Sequence, residues 1–156
     1  MENNEKIIHR FYSAFQKLDY KTMQDCYRFD VVFSDPVFGL LQNGEPQAMW
    51  QMLCIRAADF SLTFENIKLI DDEYANCDWT ATYLFSASKK KIVNRVKAHI
   101  KIVDGKIIEH TDQFNLYSWA KQAFGFTGIL FGWSSWMQNK IKHNARVSLK
   151  NFIKNK

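Results

Sequence analysis

Residues 107–117 read I-I-E-H-T-D-Q-F-N-L-Y. Side chains alternate between the two faces of a strand, so one face of this stretch carries Ile108, His110, Asp112, Phe114 and Leu116. A solvated face would not need the apolar residues. A purely apolar core would not accept His110 and Asp112 without partners, because burying an uncompensated charge is expensive. The stretch therefore predicts a strand that forms one wall of an apolar pocket.

Length and composition limit the class of protein. At 156 residues, with 13 Phe, six Tyr and five Trp, the chain is long enough for one domain with its own core. The cysteines Cys26, Cys54 and Cys77 form no C-x-x-C motif, so we expect small buried hydrophobic residues rather than disulfides or a zinc site. The start M-E-N-N-E-K lacks the basic and apolar regions of a signal peptide, and we therefore expect a cytoplasmic location.

Charge is distributed unevenly along the chain. Residues 1–112 contain 14 Lys and Arg and all 16 Asp and Glu, whereas residues 113–156 contain seven basic and no acidic residues. Because the basic excess is confined to one segment, we do not expect a nucleic-acid partner.

The basic segment has helical periodicity. Apolar residues recur at four-residue steps, which predicts a basic amphipathic helix; they are Met137, Ile141, Ala145, Leu149 and Ile153. The apolar stripe of this helix has three candidate partners: its own domain, a second subunit, or an anionic membrane surface. Membrane attachment would be helped by the apolar and aromatic residues before the helix, namely Phe126, Ile129, Leu130, Phe131, Trp133 and Trp136.

Periodicity also separates a helical first part from a strand-rich second part. The pattern predicts a helix near the start, a short second helix capped by Asp19, and a third helix opened by G-E-P at 44–46. From about Phe60 the side chains alternate as in strands, and D-G at 104–105 predicts a hairpin turn. Helices followed by an antiparallel meander favour an α+β fold, with helices packed on one face of a curved sheet.

A second carboxylate follows the same pattern as Asp112. The alternation that turns Val31, Phe33 and Val37 inward carries Asp35 with them. Desolvation raises the pKa of a carboxyl in an apolar cavity, and two neighbouring carboxyls push their pKa values apart, which suits a division into base and acid. We therefore take as catalytic candidates Asp35, His110 and Asp112.

A purely structural interpretation of these polar residues stays open. In that interpretation His110 bonds a backbone carbonyl or a helix end, and Asp112 caps a turn or pairs with Arg56, His9 or Arg10. His99 falls on the opposite phase of its strand, beside basic residues, and is expected to be exposed or at an interface.

Four motifs in order resemble the NTF2-like superfamily, which includes SnoaL-like polyketide cyclases, ketosteroid isomerases and limonene epoxide hydrolases. They are H-R-F-Y-S-A-F-Q-K-L-D, F-S-D-P-V-F-G, C-D-W-T-A-T-Y and V-D-G-K-I-I-E-H-T-D-Q-F-N. The resemblance covers roughly residues 3–120. It implies a cystatin-like cone, in which N-terminal helices pack on a strongly bent antiparallel sheet around a deep apolar pocket, and a homodimer formed through the outer sheet face.

The resemblance also bears on the chemistry. In D-P-V-F-G, Asp35 stands where ketosteroid isomerases carry their proton-shuttling base, but Phe11 matches the position of their tyrosine, with Tyr12 expected to point elsewhere. Asp112 stands at the aspartate of the epoxide hydrolases, whose arginine–aspartate pair is not matched on the strand D-W-T-A-T. SnoaL-like cyclases resemble this chain in having a histidine and an aspartate close together on the late strands.

These observations predict an NTF2-like domain at 1–120 and an aromatic, basic helical extension of it at 121–156. We expect the stretch S-W-A-K-Q-A-F-G-F-T-G-I-L-F-G-W at 118–133 to fold back across the pocket mouth, with Trp119, Phe124 and Trp133 closing it. We expect a small, largely apolar ligand and isomerase, cyclase or hydrolase chemistry, with no metal or organic cofactor required. The alternatives are a non-catalytic binding module and a membrane-surface protein. The residues predicted to contact the ligand are Phe11, Phe15, Phe33, Trp79, Phe114, Trp119 and Trp133.

Overall fold

The computed structural model describes residues 2–156, which form an α+β fold. The helices are α1 Glu2–Gln16, α2 Tyr20–Cys26, α3 Glu45–Arg56, α4 Leu116–Phe124, α5 Phe126–Phe131 and α6 Ser135–Lys154. The strands are β1 Tyr27–Asp35, β2 Gly39–Leu41, β3 Ser61–Leu69, β4 Tyr74–Leu84, β5 Lys91–Val103 and β6 Lys106–Gln113. Helices thus come before and after the meander, as the sequence predicted.

Local sequence signals account for the early helices. The Asp19 side chain caps α2, because its Oδ1 accepts a hydrogen bond from the backbone N–H of Thr22 at 3.2 Å. Helix α3 starts after Gly44, whose φ of +83° suits glycine, and Pro46 lies in its first turn. Both predicted helix starts are confirmed.

The six strands form one open sheet in the order β2-β1-β6-β5-β4-β3. Strands β3 to β6 make the predicted antiparallel meander, with Asp104 and Gly105 at positive φ in the turn between β5 and β6. Strand β1 then joins β6 in parallel, which makes the sheet mixed. This parallel pairing brings the end of β1, with Asp35, beside the strand that carries Asp112.

A bulge in β6 corrects one detail of the predicted strand face. Lys101 pairs with Glu109 and Ile102 with Ile107, so Ile108 is the extra residue. Ile107 is therefore fully buried, whereas Ile108, which the alternation had placed on the inner face, is only partly buried. The predicted phase holds beyond the bulge, where His110 and Asp112 are both buried.

The C-terminal helix packs on its own domain. Leu149 of α6 joins the main core, while Met137 and Ile141 form a second cluster with α4 and with Ile92 of β5. The Arg146 guanidinium Nη1 donates to the carbonyl oxygens of Phe38 at 2.7 Å and Leu40 at 3.1 Å. Within a single copy of the protein, these contacts already occupy most of the apolar stripe.

No helix within residues 2–156 combines the length and the apolar character that crossing a bilayer requires. The three cysteines are free and buried, in agreement with their interpretation as small hydrophobic residues.

Candidate functional site

A cavity of about 640 Å³ lies between the inner face of the sheet and helices α3, α4 and α6. Its wall is mostly apolar, and two carboxylates open onto it, those of Asp35 and Asp112. A volume of this size is typical of small-molecule sites. Five of the seven predicted ligand contacts line the cavity, namely Phe15, Phe33, Trp79, Phe114 and Trp119.

The other two predicted ligand contacts lie elsewhere. Phe11 is fully buried in the core, where its ring packs against Tyr27, Trp50 and His110, and it has no place in the cavity wall. Trp133 is 69% exposed on the surface. Helical spacing explains the first difference, since Phe15, one turn after Phe11 on α1, lines the cavity. Trp133 lies in the turn before α6, and Trp136 of α6 lines the cavity in its place.

The segment after β6 covers the cavity with two of the three aromatic residues that were predicted to close it. Trp119 and Phe124 from α4 line it, together with Trp136 and Lys140 from α6.

Asp112 is held by a chain of hydrogen bonds that runs into the core. Its Oδ1 atom lies 2.9 Å from Nε2 of His110, and His110 Nδ1 lies 2.7 Å from the hydroxyl of Tyr27. The Tyr27 hydroxyl in turn accepts a hydrogen bond from Nε1 of Trp50 at 2.8 Å. His110 is fully buried and absent from the cavity wall, so it touches Asp112 from behind.

One assignment of the protons satisfies every member of this chain. Burial raises the pKa of Tyr27 well above its usual value, so its hydroxyl keeps its proton and donates to Nδ1 of His110. A neutral His110 then carries its proton on Nε2 and donates to Asp112. An ionised Asp112 therefore has one oxygen fixed by the imidazole, which orients the carboxylate.

Tyr12 corrects another prediction. We expected its side chain to point away from the site, but Tyr12 is fully buried and its hydroxyl lies 3.4 Å from Nε2 of His110. Burial also raises the pKa of Tyr12 well above the usual tyrosine value, with the charge of Asp112 adding to the effect. The phenol therefore stays protonated beside the His110–Asp112 pair.

Asp35 combines a structural and a cavity-facing role. Its Oδ1 accepts hydrogen bonds from the backbone N–H groups of Val37 at 2.9 Å and Phe38 at 2.6 Å, which fixes the D-P-V-F-G turn. Burial raises the pKa of Asp35 to about 7, the nearby charge of Asp112 adds to the rise, and the two backbone hydrogen bonds partly offset it. Asp35 thus exchanges between acid and base near neutral pH.

Sequence reasoning missed a hydroxyl in the cavity, that of Tyr83. It accepts a hydrogen bond from Nε1 of Trp119 at 2.9 Å, and the charge of Asp35 contributes to its raised pKa, after burial. Tyr83 follows Trp79 and Ala81 in the inward alternation of β4, so the strand pattern contained the signal. Its proton remains available to a ligand oxygen near Asp35.

The structural interpretation named three possible partners for Asp112, and each of the three contacts a different residue. Arg56 donates to Ser148 Oγ at 2.7 Å, Arg10 pairs with Asp25 at 2.7 Å, and the His9 ring packs on Phe64. His99 is exposed, as predicted. Residues 2–156 hold no group of three or more His, Cys, Asp or Glu side chains arranged for a metal ion.

Comparison with known proteins agrees with this architecture. The SnoaL-like domain model matches residues 8–110. An NTF2-like protein of unknown function from Burkholderia pseudomallei superposes with a TM-score of 0.67, at 13% identity, covering 80% of this chain and all 100% of that one. A search of curated proteins finds no match.

Two further solved structures have the same fold. A putative polyketide cyclase from Xanthomonas campestris has a TM-score of 0.65 and 15% identity, with coverage of 78% of this chain and 97% of that one. An LEH-like epoxide hydrolase from M. tuberculosis has a TM-score of 0.62 and 19% identity, with coverage of 81% and 89%. The architecture is thus that of the NTF2-like and ketosteroid isomerase-like proteins. Within that class, the match over residues 8–110 shows that this chain belongs to the SnoaL-like family.

Proposed function

We propose that this protein is an acid–base enzyme that moves a proton on a small, largely apolar substrate bearing a carbonyl oxygen, as isomerases and cyclases do. The observation that carries the proposal is the presence of two carboxylates with different surroundings in one apolar cavity. Asp112 is oriented by His110, whereas Asp35 lies at the end of β1, accepts hydrogen bonds from the following turn and has a pKa of about 7. Such a difference supports separate base and acid roles.

The proposed roles follow from what each group touches. Ionised Asp112 removes a proton from the carbon next to the substrate carbonyl, while His110 is a positioning residue that holds Oδ1 of Asp112. Protonated Asp35 and the hydroxyl of Tyr83 donate to the enolate oxygen as negative charge develops there. Apolar walls strengthen these interactions because they exclude water.

The first experiment is native mass spectrometry of the purified protein, with identification of any molecule that it retains. The retained molecule, together with a panel of cyclic diketones and unsaturated ketones, is then incubated with the protein in D₂O. Proton transfer at carbon is followed by NMR as incorporation of deuterium. We expect Asp112→Asn to slow exchange by about 10²- to 10⁴-fold, the range found for loss of a general base.

A second measurement tests the acid. In the wild-type protein, kcat/KM is expected to fall as the pH rises through about 7, because Asp35 loses its proton there; Asp35→Asn should remove this limb of the profile. Asp72→Asn, on the exposed β3–β4 turn, is the matched control and should behave as the wild type. Unchanged exchange in both cavity variants would contradict the enzyme proposal. Ligand retention without any exchange would instead assign the cavity to a non-catalytic binding module.

A further inference from the structure

The segment between α4 and α6 presents bulky apolar side chains to solvent. The buried residue of α5 is Gly128, whereas Phe126 is 74% exposed. The other bulky apolar residues of α5, Ile129, Leu130 and Phe131, are also exposed. We call this surface the aromatic platform; it consists of Phe126, Ile129, Leu130, Phe131, Trp133 and Trp136. An amphipathic helix usually turns its large apolar residues toward the core. Helix α5 instead turns its glycine toward the protein and its large apolar residues toward solvent.

Two glycines fix this reversed orientation. A Cβ at Gly128 would lie 2.1 Å from the carbonyl oxygen of Ala120, and a Cβ at Gly132 would lie 3.0 Å from the Cβ of Ala120. The backbone of α5 therefore lies directly on α4, and its large side chains have only the outer side to occupy. The Tyr117 hydroxyl also donates to the carbonyl oxygen of Ile129 at 3.0 Å. The packing of the backbone thus fixes the platform on the surface, although exposing a contiguous apolar patch is unfavourable in water.

Three lysine side chains lie next to the platform or to residues that adjoin it. The Lys90 ammonium lies against Gly125, where a Cβ would be 2.7 Å from Nζ. Lys121 Nζ is 4.8 Å from the ring centre of Tyr117, and Lys140 Nζ is 5.4 Å from that of Trp136. No acidic residue occurs in positions 113–156. A second copy of this surface would bring like charges together, whereas an anionic bilayer interface complements both the lysines and the tryptophans.

The platform is continuous with the mouth of the cavity. Thr127 of α5 and Trp136 and Lys140 of α6 line the cavity, and Trp136 is also 65% exposed. A molecule dissolved at the level of the platform therefore meets the cavity without crossing bulk water.

We propose that the aromatic platform inserts into the interfacial layer of an anionic membrane and that the cavity takes its apolar ligand from that layer. Docking uses the platform and not the apolar stripe of α6, which already packs on the domain. The ligand's route rests on the proposed function, but the docking step does not.

The test is flotation with vesicles made of equal parts phosphatidylglycerol and phosphatidylcholine, compared with vesicles of phosphatidylcholine alone. We expect binding to the anionic vesicles, weakened at about 1 M NaCl, where the Debye length is about 3 Å. The double variant Phe131→Ser/Trp133→Ser should lower the partition coefficient by at least about tenfold, since two aromatic side chains no longer leave water. The matched control Phe29→Ser removes an aromatic residue that is 84% exposed on β1 and should leave binding unchanged.

Two outcomes would overturn the proposal. One is a failure of the platform to mediate vesicle binding, seen either as no binding to the anionic vesicles or as equal losses in the double variant and in Phe29→Ser. The other is a dimer in sedimentation equilibrium that the double variant dissociates while vesicles bind neither protein, which would assign the platform to a second copy. Neither Phe131 nor Trp133 lines the cavity, so proton exchange on water-soluble ketones should persist in the double variant. Failure of docking and failure of the acid–base proposal are thereby measured separately.

Discussion

Replacing Asp35 with asparagine should stabilise the protein increasingly as the pH rises. In the unfolded chain this carboxyl ionises near 3.8, whereas burial raises its pKa in the folded state to about 7. Between these values the folded protein binds one more proton at Asp35 than the unfolded protein does, so the contribution of Asp35 to the free energy of unfolding falls with pH. Asparagine does not ionise, and its Oδ1 still accepts the hydrogen bonds that Asp35 receives from Val37 and Phe38.

The size of the effect follows from the difference between the pKa values of Asp35 in the unfolded and folded states. Each pH unit is worth about 1.4 kcal/mol, so ionisation of Asp35 costs the wild type on the order of 4 kcal/mol above pH 7 as an upper bound. Urea unfolding of wild-type protein and Asp35→Asn between about pH 4 and pH 8 measures this difference. The advantage of the variant should appear across this range and level off above about 7. A difference that stays constant with pH, or that matches the exposed Asp72→Asn, would refute the reasoning.

Two other substitutions test the packing described above. Tyr27→Phe removes the hydroxyl that joins Trp50 Nε1 to His110 Nδ1. Because these buried groups lose their partner, the free energy of unfolding measured in urea should fall by about 1–3 kcal/mol. An unchanged free energy of unfolding would show that the hydrogen-bond chain does not stabilise the fold. Gly128→Ala places a methyl group 2.1 Å from the Ala120 carbonyl oxygen, so α5 should separate from α4. The amide hydrogens of α5 should then exchange with solvent faster than in the wild type. Exchange at the wild-type rate would contradict the close contact between the two helices.

The sequence pattern was most informative where strands keep a strict alternation. Asp35 and Asp112 could be placed in one cavity because both lie in phase with apolar neighbours. The bulge at Ile108 was not visible in advance, since an extra residue in one strand depends on the partner strand opposite it. The turn D-G at 104–105 was predictable because its conformation is local.

Side-chain direction was harder to predict than the positions of the elements. The alternation does not show how far behind the cavity wall a side chain lies. His110 and Asp112 therefore looked equivalent, although only Asp112 reaches the cavity. Phe11 and Phe15 share one helix face, and only the packing of α1 decides which of them meets the cavity. On β4, the alternation placed Tyr83 in phase with Trp79, but its hydrogen bond with Trp119, which comes from a distant helix, could not be predicted from the strand pattern.

The parallel pairing of β1 with β6 has a consequence for the order of assembly. A chain that emerges from the ribosome N-terminus first exposes residues 27–35 long before residues 106–113 exist to pair with them. Parallel contacts between distant segments close large loops and form slowly. Residues 27–35, with the exposed Phe29, therefore remain without their main partner strand until residues 106–113 have been synthesised, and an unpaired strand of this kind is prone to aggregate.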